Sequence, residues 1–454
     1  MARTSISHFP AEIGVRIFNE VFYCESSFSF SKFVRTRWTM RRASSEWMRI
    51  ISGFPKFWTP IYMDLDTPAE LIQTFVERAG GLNIKLCMDF HSVDNYFEAH
   101  RDVHTSQELV TERMSIVQLF IDRVDQIMVE TEDRTVYDSV QDALRASYAP
   151  LLREVTIRFT HSPTRQDYGA LNRPGWSAVQ LPNVERIHLH GTLFPFPLAS
   201  AQSHTLRELR IYNVPMERAF DCQVIGSVVM DSPRLEELAL WGVHFSGETT
   251  EQVKSMSLHT LRLNFGDPNV TRLAVKLDLP NLRTVHLLIS HPTHVDRAVT
   301  CPQLWSGATH LKIDDNGRDV YNLPPLFEMF RSVTHLDITD CEGQLLHELI
   351  AYSGLHMSGE TTTVFCQLQS LETAHATALE VLQFCMRHGA NGSSDGSQMK
   401  LREVMMGIVG RPFGRVEHAR NIEWMRKHVR NFRVYKYSSK WGLSVEEKAA
   451  KLTV

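Results

Sequence analysis

The sequence predicts an α/β protein in which an N-terminal module of three helices precedes an irregular solenoid of parallel strands and helices. Two observations carry this prediction. A spacing of three apolar residues recurs along most of the chain, with helix-like segments between its copies. Ahead of the first copy, short amphipathic segments rich in aromatic residues have the periodicity of helices.

The composition is that of a folded globular protein without a dominant charge. Of the 454 residues, 43% are hydrophobic and 22% are charged, and the formal net charge is −4. A charge so near balance gives no reason to expect binding to nucleic acid or to a membrane surface. No apolar run approaches the roughly 18 residues of a membrane helix, and the N-terminus lacks the apolar core of a signal peptide.

The candidate metal ligands are few. The seven cysteines are scattered and include no CxxC pair, which suits neither a disulfide framework nor a zinc site. His188 and His190 lie two positions apart on a predicted strand, but no third ligand is near them, so we expect solvent-facing histidines. We therefore expect a protein of the cytoplasm or the nucleus, with no bound metal.

Residues 1–60 are predicted to form the helical module. Pro10 suits the first turn of a helix, and apolar residues recur every four positions from Ile13 onward. A second helix is predicted over 31–41 and a third over 43–51. Three short helices with so much aromatic surface make only a small core, so part of that surface is expected to meet another element or another chain.

Two parts of this module resemble the two ends of an F-box. The opening, Phe9-Pro10-Ala11-Glu12-Ile13 followed by Ile17-Phe18, is similar to the LPxEI…IF start of that family. Trp47, with Pro55 eight residues later and Trp58 eleven residues later, resembles its closing pattern. Phe9 stands where the family usually has leucine, and the stretch 24–31 is less regularly helical than the family pattern.

The resemblance implies a module that docks on a Skp-family adaptor and, through it, on a cullin-RING ubiquitin ligase. The adaptor-binding residues that it implies are Phe9, Pro10, Ile13, Ile17, Phe18, Trp47 and Trp58. Packing within the module explains the two tryptophans equally well. The other interpretation of the segment is a helical cap on the repeat array that binds no adaptor.

Residues 61–120 are predicted to link this module to the repeats and to carry the first α/β elements. Ile61, Met63 and Leu65 alternate as in a strand. The run Thr67-Pro68-Ala69-Glu70 has the form of a capping box with proline at the first helical position, and Gly80-Gly81 is predicted to end that helix.

Residues 121–414 carry a recurring LxxLxL spacing, which predicts irregular leucine-rich repeats. The copies start at Val124, Leu152, Val184, Leu206, Leu235, Leu258, Leu282, Ala308 and Val333, with weaker copies at Leu368 and Leu401. In such repeats the strands are parallel and line one side, with the helices on the other. A series of unrelated α/β strands is the alternative, and so many copies in similar register make it the poorer hypothesis.

Proline positions support the repeats, and the chain is predicted to end in a cap. Pro150, Pro182, Pro233 and Pro280 each lie two residues before the first apolar position of a copy, where a helix turns into the next strand. Residues 415–454 are predicted to close the array with an amphipathic helix and an alternating segment.

The strand positions between the inward apolar residues are expected to line one exposed face. In the central repeats they are Arg210, Arg262, His286 and Lys312 in one row, with Tyr212 and Trp241 in the next. Like charges at strand spacing repel, so a protein substrate with acidic or phosphorylated side chains would relieve the repulsion. The alternative, which the sequence favours, is a mixed surface in which Glu154, Glu208 and Glu237 pair with the arginines.

Motifs of catalysis and cofactor binding are absent from the sequence. It contains no GxxxxGK[ST], HExxH or GxSxG, and no cysteine has the context of a nucleophile. We therefore expect a non-catalytic chain without a cofactor. The resemblance to an F-box protein implies that it recognises substrates for an SCF-type ubiquitin ligase. The alternative is a leucine-rich-repeat scaffold with no ligase role, and an enzyme is a distant third.

Overall fold

A computed structural model gives the fold of the chain. It describes residues 37–39, 41–42, 44–90, 103–132, 136, 139–140, 144, 148–159, 183–191, 204–214, 220–247, 249, 251–289, 291–315, 324–339, 341, 344–355, 367–374, 376–390, 401–409 and 416–437. Five predicted adaptor-binding residues lie outside these ranges: Phe9, Pro10, Ile13, Ile17 and Phe18. The chain forms two compact units, residues 1–206 with 440–454, and residues 207–439.

The first unit contains a parallel sheet and three described helices. Its strands pair in chain order: β1 (Pro60–Met63), β2 (Ile84–Phe90), β3 (Val124–Thr131), β4 (Glu154–Phe159) and β5 (Arg186–His190). Its helices are α1 (Ser45–Gly53), α2 (Ala69–Arg78) and α3 (Val103–Gln118), with 3-10 turns at Pro55–Trp58 and Ile121–Arg123. Helix α1 begins after Ser44, whose hydroxyl accepts the Trp47 N–H at 3.1 Å.

The second unit is a longer parallel sheet with eight described helices. Its strands pair in chain order: β6 (Glu208–Tyr212), β7 (Glu237–Trp241), β8 (Thr260–Asn264), β9 (Thr284–Ile289), β10 (His310–Asp315), β11 (His335–Ile338), β12 (Ser370–Thr373), β13 (Glu403–Val409) and β14 (Asn431–Tyr437). Its helices are α4 (Cys222–Asp231), α5 (Pro268–Lys276), α6 (Pro292–Val299), α7 (Pro302–Trp305), α8 (Pro324–Met329), α9 (Gln344–Leu355), α10 (Ala378–Ala390) and α11 (Val416–His428).

Two short parallel ladders lie outside this sheet of the second unit. Phe220–Asp221 pairs with Phe245–Ser246, and Val253–Lys254 pairs with Leu277–Asp278. Within the described ranges, no helix is both long and apolar enough to cross a membrane.

The core follows the apolar rows of the predicted repeats. Leu209 pairs with Leu238, Leu238 with Leu261, and the row continues through Val285 and Leu311, all of them buried. Each predicted copy coincides with one strand from β3 to β13, because two apolar residues at alternate positions point to one side of a strand. The prediction of an α/β protein with parallel strands and intervening helices is confirmed.

The predicted capping box before α2 is wrong. The helix follows Pro68, which is extended, and no side chain caps its N-terminus. The Thr67 hydroxyl donates to Asp64 Oδ1 at 2.6 Å and accepts the Asp64 N–H, so a local turn takes the group that would have capped the helix. A reciprocal capping box, which sequence analysis missed, precedes α10: Thr377 accepts the Glu380 N–H, and the Glu380 carboxylate accepts the Thr377 N–H.

Candidate functional site

The open face of the second unit is the side of its sheet that faces away from the buried leucine row. On β6 to β11 it consists of Glu208, Arg210, Tyr212, Glu237, Ala239, Trp241, Thr260, Arg262, Asn264, Thr284, His286, Leu288, His310, Lys312, Asp314, His335, Asp337 and Thr339. Strand register places Arg262 beside His286, and His286 beside Lys312, as predicted. Tyr212 lies beside Trp241, also as predicted.

The two arginines of this face share one carboxylate. Arg210 Nε lies 3.0 Å from Glu237 Oε1, and Arg262 Nε lies 2.8 Å from the same oxygen. Arg210 also forms an ion pair with Glu208. The predicted repulsion between stacked arginines is therefore relieved inside the chain. These are the ion pairs that the alternative interpretation of a mixed surface requires.

Arg210 and Tyr212 are both buried beside this carboxylate. Burial alone would lower the pKa of Arg210, but Tyr212, Glu237 and Glu208 outweigh it and raise that pKa above its ordinary value. Tyr212 is 6% exposed, and burial raises its pKa. Its hydroxyl has no hydrogen-bond partner among the described residues. Tyr212 is thus a neutral, buried phenol rather than an exposed contact residue.

The other predicted residues of the open face meet around a buried carboxylate. His286 is 3% exposed, and its Nε2 lies 2.8 Å from Asp314 Oδ2. Trp241 meets the imidazole edge-on, with ring centroids 4.7 Å apart. Lys312 Nζ lies 3.6 Å from Asp314 Oδ1 and 3.3 Å from Asp337 Oδ2. The strand spacing also predicts both aspartates on this face, but it does not predict their contacts with His286 and Lys312.

The balance of charge differs between the two ends of the open face. On β6 to β8, Arg210 and Arg262 face Glu208 and Glu237, so this end is balanced. On β10 to β13 the charged residues are Lys312, Asp314, Asp337, Glu372 and Glu403. One base among four acids makes this end acidic.

The two predicted adaptor-binding tryptophans lie in the core of the first unit. Trp58 is fully buried, its Nε1 donates to the Ile51 carbonyl at 2.8 Å, and its ring centroid lies 5.5 Å from that of Phe75 on α2. Trp47 is 8% exposed. Residues on both sides of the predicted domain boundary at position 60 therefore share one core.

We call Trp58, Phe75, Arg37, Arg41 and Arg78 the Trp58 cluster. The guanidinium carbons of Arg78, Arg37 and Arg41 lie 4.4, 4.9 and 5.6 Å from the Trp58 ring centroid. Burial, followed by the charges of Arg41 and Arg78, lowers the pKa of Arg37 to about 10. Burial and Arg78 lower the pKa of Arg41. Sequence analysis missed this cluster, although the basic run in residues 32–56 was a visible signal.

The described residues offer little nucleophilic or metal-binding chemistry. Burial raises the pKa of the Cys222 thiol to about 11 and that of Cys385 to about 12, so both stay protonated and unreactive. No group of three or more His, Cys, Asp or Glu side chains among these residues is arranged to hold a metal ion.

Comparison with known proteins assigns no family. The chain matches no protein-family model and none of the curated proteins. The F-box and leucine-rich-repeat assignments therefore rest on the residues themselves and on the geometry of the strands.

Proposed function

We propose that the chain is the substrate-recognition subunit of an SCF-type (cullin-RING) E3 ubiquitin ligase and is not itself catalytic. The N-terminal F-box-like module docks a Skp-family adaptor, and the leucine-rich repeats bind the target protein. The observation that supports this most is the ordered series of parallel strands, in which every repeat copy places the same positions on one face. Arrays of this kind present extended binding surfaces.

The N-terminal half of the proposal is supported by the two motif halves and by the packing beneath the second one. The adaptor contacts Phe9, Pro10, Ile13, Ile17 and Phe18 in this proposal. Trp47 and Trp58 are buried, and Trp58 packs against Phe75 of α2. Their role is to position the docking surface and not to touch the adaptor.

The target is proposed to lie on the open face of the second unit. Of the six predicted contact residues, Trp241, Arg262 and Lys312 are partly exposed and would meet the target, whereas the buried Arg210, Tyr212 and His286 would hold them in place. Glu237 already pairs with both arginines, and acids outnumber bases from β10 to β13. A target segment that carries lysine or arginine fits the acidic end directly. An acidic or phosphorylated segment would have to displace Glu237 from the arginines.

The test is co-purification of the full chain with a Skp-family adaptor. Ile17→Asp removes an apolar side chain whose burial contributes about 1.5–3 kcal/mol, so affinity should fall by about tenfold or more. Leu379→Asp is the matched control, because Leu379 is an exposed leucine on α10. Wild-type adaptor binding by Ile17→Asp would contradict the proposed docking surface. Deletion of residues 1–60 is a blunter test, since it also removes Trp58 from the core.

The second candidate is a leucine-rich-repeat scaffold without a ligase role. The observation that favours it is that the open face belongs entirely to residues 207–439, which form a compact unit of their own. A scaffold would co-purify with its target from cells but not with the Skp-family adaptor. The same experiment therefore distinguishes the two candidates.

A further inference from the structure

Three cations crowd one aromatic ring in the Trp58 cluster. An indole has two faces, so at least two of the guanidinium groups of Arg37, Arg41 and Arg78 share one side of Trp58. Like charges at this range repel unless an anion lies between them. Their mutual effect is visible in the pKa of Arg37, which Arg41 and Arg78 lower after burial has done so.

Arg37 has a structural role. It is 1% exposed, and its Nη1 donates to the carbonyl oxygens of Phe57 and Pro60 at 3.1 and 3.4 Å. Its guanidinium group also lies 4.6 Å from the centre of the Phe75 ring. These contacts tie the 3-10 turn to α2 and leave Arg37 no path to solvent.

Arg41 and Arg78 are placed differently. Both are half-buried, whereas Arg37 is fully buried. Within the described ranges neither makes an ion pair, and their contacts are with the rings of Trp38 and Trp58. Arg41 Nε is buried and has no hydrogen-bond partner among the described residues. A buried donor of this kind beside a second cation is suited to an anionic ligand.

We propose that Arg41 and Arg78 bind a phosphate group against the edge of the Trp58 cluster. A phosphate group brings up to two negative charges for two guanidinium groups, and its several oxygens match their forked N–H donors. Arg37 positions Trp58 beneath the site and does not touch the ligand. Neither arginine is among the residues proposed to contact the adaptor or the target.

The test is titration calorimetry on the full chain with inorganic phosphate and pyrophosphate, with sodium chloride at equal ionic strength as the blank. Arg41→Gln and Arg78→Gln should each weaken pyrophosphate binding by about tenfold, since charged hydrogen bonds of this kind contribute about that much. Arg42→Gln is the matched control, because Arg42 is an exposed neighbour of Arg41 on the same segment. It should bind as the wild type does.

A phosphoserine tripeptide in a parallel titration identifies the source of the phosphate group. Tighter binding of the tripeptide assigns the site to a phosphorylated side chain, and tighter binding of pyrophosphate assigns it to a free ligand. Arg78→Lys keeps the positive charge but lacks the forked N–H donors of a guanidinium group. It should therefore weaken pyrophosphate binding by less than tenfold, and it provides a test even if Arg78→Gln does not fold. No pyrophosphate binding above the blank, or equal weakening in Arg42→Gln, would overturn the proposal.

Discussion

Arg37 in the first unit and Arg210 in the second are both buried arginines, and their surroundings are opposite. Arg37 lies among two further arginines, aromatic rings and backbone carbonyls, and its pKa is lowered to about 10. Arg210 lies between two glutamates, and its pKa is raised in spite of burial. The same side chain is therefore stabilised by aromatic rings and carbonyl oxygens in one place and by ion pairs in the other.

This difference determines which region can attract a partner of opposite charge. On the open face of the second unit, the positive charge of the arginines is already matched by Glu208 and Glu237, and only the β10 to β13 end has an excess, which is acidic. In the Trp58 cluster, Arg41 and Arg78 form no ion pair with any described residue, and their charge is what the proposed phosphate site uses. A sum of the charges along one row of a sheet overestimates the electric field at its surface. Residues of opposite charge at diagonal positions on neighbouring strands reduce that field.

Removal of Arg210 should have the largest effect. Arg210→Met leaves Glu208 and Glu237 largely buried with one cation fewer, and loss of one partner from such a network costs about 3 kcal/mol or more. Urea unfolding of the full chain measures this. Arg207→Met is the control, because Arg207 pairs with Glu236 at the exposed surface and should lose less than about 1 kcal/mol. Equal stability of the two variants would mean that the buried pairs do not hold the face together.

The fold was more predictable than the side-chain arrangement of either region. The strands could be predicted because alternate apolar residues at a fixed spacing have few other solutions, and the rows of the open face followed from that register. The contact between His286 and Asp314 is diagonal between rows, so register alone did not reveal it. The Trp58 cluster could not be predicted, because Arg78 on α2 is distant in sequence from Arg41, and the two approach the same ring only through tertiary packing.

Replacement of Arg37 by methionine should lower the free energy of unfolding by less than the same replacement at Arg210. Arg37→Met loses hydrogen bonds to two backbone carbonyls, at a cost of about 1–2 kcal/mol. It also removes one of three mutually repelling cations, which offsets part of that loss. Thermal unfolding of Arg37→Met and Arg210→Met side by side gives the difference. A greater loss at Arg37 would reverse the comparison.

The smallest effect is expected at Lys312, on the acidic end of the open face. Its ion pairs with Asp337 and Asp314, at 3.3 and 3.6 Å, are longer than a tight contact between an ammonium group and a carboxylate. Lys312→Met should therefore lower the free energy of unfolding by less than Arg210→Met does, because His286 still contacts Asp314. Arg262→Met is the matched variant on the balanced end. It loses the 2.8 Å contact with Glu237 and should destabilise the chain more.

The two variants also separate stability from recognition. Lys312→Met makes the β10 to β13 end more acidic while the fold stays intact, so capture of a target through lysine or arginine should increase. Capture of an acidic or phosphorylated target should fall instead. Target recovered from cells with each variant, normalised to folded protein, measures this. If recovery is the same for Lys312→Met and the wild type, the acidic end of the open face is not where the target binds.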